Sequence, residues 1–352
     1  MKHVIVIGGG VAGLQCATEI AHEGVRVTLL EKDGATGGKL RSWNNLFPTF
    51  TPADEVLAPL HRQASQLNPL TLRTGCEAVD IAPGRVTLAS GEELTADAVV
   101  VATGFTIFDA SVKEEYGYGI YDNVITSVDL ERKLREGTVR MHDGSEPRRI
   151  AILHCVGSRD EKVCQRHCSK VCCVTGVKQA IELKRLFPKA DVYNFYMDLR
   201  MFGPGYEEMY HEAQQRYNIN FVRGRISEVS PTIDNRLQLK AEDTLTGRPL
   251  KMGADLLVLM VGMQANALNR RLADRIGALR IQPSGFMQPR DPFQGNVYSQ
   301  CEGIFYAGAV TAPKNVCESL GDGMSAARAV LHWLSEQRQS DGTGSNEPRN
   351  DD

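Results

Sequence analysis

Short, almost uninterrupted apolar runs recur along the chain, and segments with helical spacing of their apolar residues lie between them. A continuous apolar run that ends in a glycine turn is typical of a strand buried on both faces of a parallel sheet. The alternation of such runs with helical segments predicts an α/β fold. The clearest runs are HVIVI (3–7), ADAVVVATG (96–104), RRIAILHC (148–155), ADLLVLMVGM (254–263) and EGIFYAGAV (302–310).

The order of these runs predicts two α/β units. RRIAILHC begins a second unit after the Tyr- and Gly-rich link YGYGIYDN, and ADLLVLMVGM repeats the pattern of ADAVVVATG, which predicts that the chain has by then returned to the first unit. We therefore expect the first unit at 1–120 and 251–336, with the second unit inserted at 121–250. The polar segment 337–352 is predicted to be a disordered tail.

Composition narrows the class of protein. The chain has 352 residues, is 42% hydrophobic and 24% charged, and carries a formal net charge of -3, so neither nucleic acid nor an anionic membrane surface is an expected partner. It contains no run of about 18 apolar residues, and we expect no membrane span and no signal peptide. Nine unevenly spaced cysteines in a chain expected in the cytoplasm favour metal or redox chemistry over structural disulfides.

A glycine motif directly after the first strand indicates a dinucleotide site. Gly8, Gly10 and Gly13 form G-x-G-x-x-G between a predicted strand and a predicted helix. The first glycine permits the tight turn, the second lets the backbone approach a pyrophosphate, and the third allows the helix to pack closely on the strand. Glu31 ends the second strand, where a carboxylate can bind an adenosine ribose. Together these features predict a Rossmann-type domain.

FAD is the expected dinucleotide. The motif stands at the extreme N-terminus, ATGG follows Glu31, and ATGF and GIFYAGAV recur at the spacings of flavoproteins with two dinucleotide-binding domains. Many such flavoproteins have an Asp where this chain has Ala309, so that hydrogen bond to the ribityl chain must come from elsewhere or be absent. The further candidate FAD-binding residues are Lys32, Gly38, Lys39, Leu40, Ala78, Ala102, Thr103, Gly104, Gly308, Ala309 and Ser319.

Five cysteines follow the first strand of the second unit, where a nicotinamide cofactor would be expected. Cys155, Cys168, Cys172 and Cys173 supply the four thiolates that one iron–sulfur cluster or one zinc ion requires. Structural zinc, buried free thiols, and Cys164 in place of Cys155 remain open. Since adjacent cysteines cannot both face one ion from a regular helix, we expect the Cys172–Cys173 pair in an irregular turn before a helix at 174–187.

The second unit has no second glycine fingerprint, and the chain has no C-x-x-C pair. After RRIAIL the sequence reads HCVGSRD, whose single glycine cannot provide both the turn and the close approach to a pyrophosphate. We therefore expect no NAD(P)H binding here and no active site of the thioredoxin-reductase kind.

At these residues the chain resembles the A subunit of heterodisulfide reductase, reduced to its flavin core. The fold that the resemblance implies is that of a thioredoxin-reductase-like flavoprotein with two dinucleotide-binding domains, in which a Rossmann-type FAD domain carries an inserted α/β domain. The matching segments are GGGVAGLQCA, YGYGIYDNVITS, CVGSRD, CSKVCC, VKQAIELK, YMDLRMFGPGYEEMY, VRGRISEV and GIFYAGAVTAPKNVCESL.

The resemblance also implies cofactors, one site residue and partners. It implies FAD and one [4Fe–4S] cluster bound by the four cysteines, and it places Lys178 near the flavin ring, whereas an exposed lysine is the alternative. The short length resembles the equivalent subunit of the heterodisulfide-reductase-like complex of sulfur-oxidising bacteria, with B- and C-type subunits and, through the complex, a lipoate-binding protein as partners.

Three alternatives accompany this interpretation. They are the A subunit of the quinone-interacting oxidoreductase of sulfate reducers, a self-sufficient NAD(P)H-dependent disulfide reductase, and a flavoprotein scaffold with zinc in the cysteine site. A homodimer is compatible with the fold but is not indicated by the sequence.

Overall fold

A computed structural model describes residues 2–343, which divide into two compact units. Within the described residues, the first unit takes 2–40, 56–105 and 265–343, and the second takes 41–55 and 106–264. Within residues 2–343, no helix has both the length and the apolar character needed to cross a bilayer.

The strands and helices follow one another in α/β order. The strands are β1 (His3–Ile7), β2 (Arg26–Leu30), β3 (Asn45–Leu46), β4 (Thr51–Pro52), β5 (Leu70–Arg73), β6 (Ala78–Ala82), β7 (Arg85–Leu88), β8 (Glu93–Thr95), β9 (Ala98–Val101), β10 (Phe105–Ile107), β11 (Val124–Thr126), β12 (Arg149–Val156), β13 (Asp191–Tyr196), β14 (Asn220–Arg223), β15 (Ile226–Pro231), β16 (Leu237–Asp243), β17 (Arg248–Ala254), β18 (Leu256–Val261), β19 (Met263–Ala265) and β20 (Ile304–Tyr306). The helices are α1 (Val11–His22), α2 (Ala53–Gln66), α3 (Ser127–Glu136), α4 (Cys172–Leu186), α5 (Tyr206–Gln215), α6 (Ala267–Arg275) and α7 (Val316–Thr343).

The first unit is built on a five-stranded parallel sheet in the order β20-β9-β1-β2-β5. β1 lies in the middle, and its five residues are buried because helices cover both faces of such a sheet. The carboxyl end of β1 is next to the position where the strand order reverses, and in open α/β sheets ligands bind there. A smaller antiparallel sheet, β6-β7-β8, completes the unit.

The second unit has its own five-stranded parallel sheet, in the order β11-β18-β12-β13-β14. β12 lies at its centre and α4 follows it in sequence, so this unit repeats the strand–helix arrangement of the first. The register of β12 against β18 shifts between Leu153 and Val156. This irregularity at the carboxyl end of the strand includes Cys155.

Three sequence predictions about chain organisation were wrong. Residues 41–55 and 106–120, predicted in the first unit, belong to the second. ADLLVLMVGM does not return to the first unit, because its strand β18 pairs with β11 and β12 in the second sheet. A buried parallel strand has the same apolar pattern in either sheet, and the pattern does not say which neighbours it pairs with. The last helix continues to Thr343 instead of ending at 336, so the first part of the predicted disordered tail is helical. The rest of that tail, 344–352, lies outside the described residues.

Candidate functional site

The turn between β1 and α1 is formed by three glycines, and the space around a Cβ atom differs from one to the next. Gly8 has φ 106°, and a Cβ on it would lie 2.4 Å from the carbonyl oxygen of Ala102. A Cβ on Gly13 would lie 1.9 Å from the carbonyl oxygen of Gly8. A Cβ on Gly10 would meet no protein atom within 4 Å. The protein's own packing therefore requires Gly8 and Gly13, whereas Gly10 faces open room.

This open room lies at the N-terminus of α1. Gly10 is the N-cap of that helix and has extended backbone, and no side chain caps the helix there. The first amide groups of an α-helix have no acceptor within the helix, and the helix dipole adds a partial positive charge at this end. Room for a group plus uncapped amides is the arrangement that binds a diphosphate. The site therefore fits FAD.

Glu31 holds the turn together from the end of β2. Its carboxylate is buried and accepts hydrogen bonds from the backbone amides of Gly9 (2.8 Å) and Asp33 (2.9 Å), one on each oxygen. Each carboxylate oxygen has capacity for a further hydrogen bond, so ribose binding remains compatible with this geometry. In the structure, the carboxylate of Glu31 stabilises the glycine turn through these two hydrogen bonds.

Several other candidate FAD residues lie around this turn. A Cβ on Gly38 would come within 3.1 Å of the Cα of Gly10, and a Cβ on Gly308 within 2.6 Å of the Cβ of Ala12. Ser319 is also within 4 Å of that Gly308 position. These contacts bring segments from three parts of the first unit to the start of α1.

The remaining candidates are placed less directly. Lys39 donates a hydrogen bond of 2.6 Å to the carbonyl of Phe105, and the hydroxyl of Thr103 is buried without a hydrogen-bond partner among the described residues. Ala78 begins β6, which belongs to the antiparallel sheet and not to the glycine turn. The others are Lys32, which is exposed, Leu40 and Ala309, which are buried, and Gly104, which has φ 65°.

The cysteine segment of the second unit contains a concentration of backbone strain. Four of its non-glycine residues have left-handed φ values: Cys155 (61°), Arg159 (54°), Cys164 (56°) and Lys170 (64°). Such conformations cost free energy and persist where the surrounding structure imposes them, often at functional sites. We infer that contacts with the surrounding structure fix the conformation of the loop between β12 and α4.

Three of the four predicted ligand cysteines lie together. Cys155, Cys172 and Cys173 are buried in one hydrophobic cluster. Hydrogen bonding with Cys172 lowers the pKa of both Cys155 and Cys173, and the same contacts raise the pKa of Cys172. Cys172 is therefore the thiol that keeps its proton, and a hydrogen bond from it favours the thiolate form of the neighbouring sulfur that accepts it.

Cys168 lies apart from this group in a half-buried position, and its sulfur accepts a hydrogen bond of 3.3 Å from the amide of Lys170. The four residues fit a thiolate-bound cluster in number and kind. Within residues 2–343, no group of three or more His, Cys, Asp or Glu side chains is placed to hold a metal ion. The four sulfur atoms therefore do not surround one common point.

Positive side chains lie next to the thiols. Arg159 ion-pairs with Asp198 (2.6 Å) and is within electrostatic reach of Cys155 and Cys168. Although burial lowers the pKa of His154, its interaction with Cys173 raises that pKa on balance. A positive charge on either side chain stabilises a thiolate.

The adjacent cysteines are not in an irregular turn, contrary to the prediction. α4 begins at Cys172, so both residues lie in its first helical turn. Val171 is the N-cap, and it places the thiols at the end of the helix where the dipole favours negative charge. Of the four cysteines outside the segment, Cys16 is buried, Cys76 and Cys301 are half-buried, and Cys317 is exposed.

The place of a second dinucleotide turn is filled by protein. Gly157, the single glycine after β12, has φ 68°, and a Cβ on it would lie 2.0 Å from the ring of Phe108. Gly176 likewise packs on the imidazole of His154. Both glycines serve side-chain packing, and α4 begins fifteen positions beyond Gly157 with no tight strand–turn–helix connection. This geometry lacks the cradle that a pyrophosphate needs.

Lys178 is not the exposed lysine of the alternative interpretation. It is 1% exposed, its Nζ donates to Glu131 and to the carbonyl of Asn45 (3.0 Å), and it lies 3.1 Å from Glu182. Burial, opposed by Lys178 and reinforced by Glu131, raises the pKa of Glu182. Gln179 donates a further hydrogen bond of 2.7 Å to Glu131.

Sequence reasoning missed the two carboxylates of this buried cluster. Glu131 comes from α3 and Glu182 from α4, and Asn44 and Asn45 of the segment 41–55 donate hydrogen bonds to them. The partners of Lys178 are up to 133 positions away in the sequence. No local pattern marks such contacts, and a glutamate on an amphipathic helix normally indicates a solvated face.

Known proteins with a similar sequence or fold support the α/β fold described above. The sequence profile described as pyridine nucleotide-disulphide oxidoreductase matches residues 2–330. Thioredoxin reductase of T. acidophilum superposes with a TM-score of 0.67 at 19% identity, covering 96% of this chain and 99% of that one, and the Lactococcus lactis enzyme with 0.66 at 18% identity, covering 96% and 100%. The predicted thioredoxin-reductase-like α/β fold is confirmed.

Curated relatives bear out the resemblance seen in the sequence. The iron-sulfur A subunit of the CoB–CoM heterodisulfide reductase of Methanocaldococcus jannaschii is 30% identical over 94% of this chain. The A subunit of the H2/formate:CoB-CoM heterodisulfide,ferredoxin reductase of Methanococcus maripaludis is 32% identical over 95%. The chain spans 64% of the length of each of these relatives.

Proposed function

Because this protein belongs to the pyridine nucleotide-disulphide oxidoreductase family, we propose that it is an FAD-containing electron-transfer oxidoreductase whose cysteine segment has replaced the nicotinamide site. The observation that carries this proposal is the difference between the turn after β1 and the equivalent turn after β12. The first has open room at Gly10 beside uncapped helix amides, and the second is filled by Phe108 and followed by thiols.

The protein groups of the first turn bind and orient the cofactor. The amides at the start of α1 neutralise the diphosphate, and Glu31 fixes the turn that presents them. A bound flavin accepts or donates two electrons and can pass them on singly. Gly10 has no side chain and faces open room, which allows the cofactor to approach the backbone closely.

We propose that Cys155, Cys168, Cys172 and Cys173 hold one [4Fe–4S] cluster, which carries single electrons when bound. The protein's own contribution is to lower the pKa of two of the thiols and to stabilise thiolates with the charge of Arg159. Deprotonated sulfur is the form that binds metal. Cys168 lies in the strained loop between β12 and α4, and cluster binding would bring its sulfur to the other three.

We place the protein in a multi-subunit complex similar to heterodisulfide reductase. The curated relatives are named as A subunits, and the proposal adds B- and C-type partner subunits in the cytoplasm. Oxidation of sulfane sulfur together with a lipoate-binding protein is the proposed context, and the quinone-interacting oxidoreductase of sulfate reducers is the second candidate.

Under this proposal NADH and NADPH do not reduce the bound flavin. Anaerobic addition of either nucleotide in excess is expected to leave the flavin absorbance band unchanged, because Phe108 occupies the place that a second pyrophosphate would need. Dithionite added afterwards to the same cuvette is expected to bleach the band and serves as the control. Rapid bleaching by NADPH would instead establish a self-sufficient disulfide reductase.

A further inference from the structure

The loops that surround the cysteine segment carry a concentration of positive charge at or near the surface. Basic residues there outnumber the acidic residues Glu161, which is exposed, and Asp198, which is partly exposed, although the whole protein has a net charge of -3. We call these side chains the basic face: they are Arg159, Lys162, Arg166, Lys170, Arg200 and Arg223.

Ion pairs and a hydrogen bond connect several residues of the basic face. Arg159 joins the loop after β12 to the loop after β13 through Asp198, which Arg200 also approaches at 3.7 Å. Arg223 donates a hydrogen bond of 3.3 Å to the carbonyl of Met197 in that second loop. Arg166 pairs loosely with Glu161 at 3.6 Å.

Backbone atoms of the loops that carry the basic face contact sulfur atoms of the cysteine group, by which we mean Cys155, Cys168, Cys172 and Cys173. The sulfur of Cys173 is 3.5 Å from the carbonyl of Asp198, and the amide of Lys170 binds the sulfur of Cys168. Phe202, 65% exposed, lies in the same loop as Asp198. An exposed aromatic side chain in a loop that also carries basic side chains is typical of a surface that receives a partner.

Neutralising the thiolates does not account for all of this charge. Arg159 is within electrostatic reach of Cys155 and Cys168, and His154 is within reach of Cys155 and Cys173. The side chains of Arg166 and Arg200 are 80% and 43% exposed, and their ion pairs with Glu161 and Asp198 are 3.6 Å and 3.7 Å long. Exposed charge of this kind steers the approach of an oppositely charged molecule.

We propose that the basic face is the docking surface for a small acidic electron-carrier protein, which would bring its redox centre next to the cysteine group. This rests on the proposed function, since docking here is useful to a protein that exchanges electrons. Acidic charge on the partner complements the face, and Phe202 supplies apolar contact at its edge. Weak, salt-sensitive binding is the expected form of such an encounter.

Binding of a labelled acidic [2Fe–2S] ferredoxin to the flavin-loaded full-length protein tests this surface, with fluorescence anisotropy as the readout. The double variant Arg166→Glu/Arg200→Glu is expected to weaken binding at least about tenfold at low salt, with the wild-type affinity falling as salt rises. The matched control Lys189→Glu/Arg248→Glu reverses two exposed charges elsewhere in the second unit and is expected to bind like wild type.

Three results would overturn the docking surface: no binding of ferredoxin, equal binding by the double variant, or tighter binding of basic cytochrome c than of ferredoxin. The flavin content of each sample separates this failure from that of the proposed function. Flavin-loaded protein that does not bind the carrier contradicts the docking surface alone, whereas protein that cannot be loaded with flavin contradicts the proposed function.

Discussion

A Gly10→Val variant is expected to fold normally and to purify with little or no flavin. The new side chain meets no protein atom within 4 Å of its Cβ, and the backbone at Gly10 is extended, so the fold tolerates it. It does fill the room in front of the uncapped start of α1. Overfilling a fitted site typically costs about 1–3 kcal/mol, which weakens FAD binding about 5- to 150-fold.

The flavin-to-protein ratio and a titration of apoprotein with FAD measure this effect. Gly277→Val is the matched control, because Gly277 is an exposed position of the same unit with no atom within 4 Å of its Cβ and no positive φ. The control is expected to keep its flavin. Circular dichroism should be the same for both variants. Full flavin occupancy in Gly10→Val would show that the open room is not the diphosphate site.

A Lys178→Met variant is expected to lose about 3–5 kcal/mol of stability, the usual result of removing one partner from a buried ion pair. Glu131 and Glu182 would then share the second unit's interior without a cation, each still held by amide donors. A lower urea midpoint measures the loss. Lys189→Met, which removes an exposed lysine, is the control and is expected to leave the midpoint unchanged.

The loss in Lys178→Met is expected to depend on pH. Burial and Glu131 raise the pKa of Glu182 above its ordinary value of 4.5, so the folded protein holds a proton that the unfolded protein releases, and stability falls as pH rises above that value. In Lys178→Met, which lacks the cation, stability is expected to fall more steeply as pH rises, and acidification is expected to restore part of the lost urea midpoint. Adding Glu182→Gln is expected to do the same at neutral pH. A pH-independent loss that Glu182→Gln does not relieve would contradict a charge-based role.

The local parts of the fold were accessible from the sequence because their signals are local. The strand at 3–7, the glycine turn and the acid at the end of β2 lie within about thirty residues. Their residue types and spacing together predict a strand, a tight turn and a helix. The same holds for the absence of a second fingerprint after β12, which the packing of Phe108 on Gly157 explains physically.

Non-local features were not accessible in this way. β18 was assigned to the wrong sheet because an apolar run does not specify its neighbours, and the start of α4 at Cys172 was missed because metal ligation was assumed to exclude a helix there. The partners of Lys178 come from a loop and a helix far away in the sequence. Its predicted place beside the flavin ring remains a prediction.

The composition of anaerobically purified protein tests the central claim most directly: iron, zinc, acid-labile sulfide and flavin are measured together, with an EPR spectrum after dithionite reduction. The account predicts about four irons, about four sulfides and one FAD per protein molecule, with iron, sulfide and the EPR signal lost in Cys172→Ala while flavin is retained. One zinc without sulfide, or flavin with no metal in the wild-type protein, would contradict it.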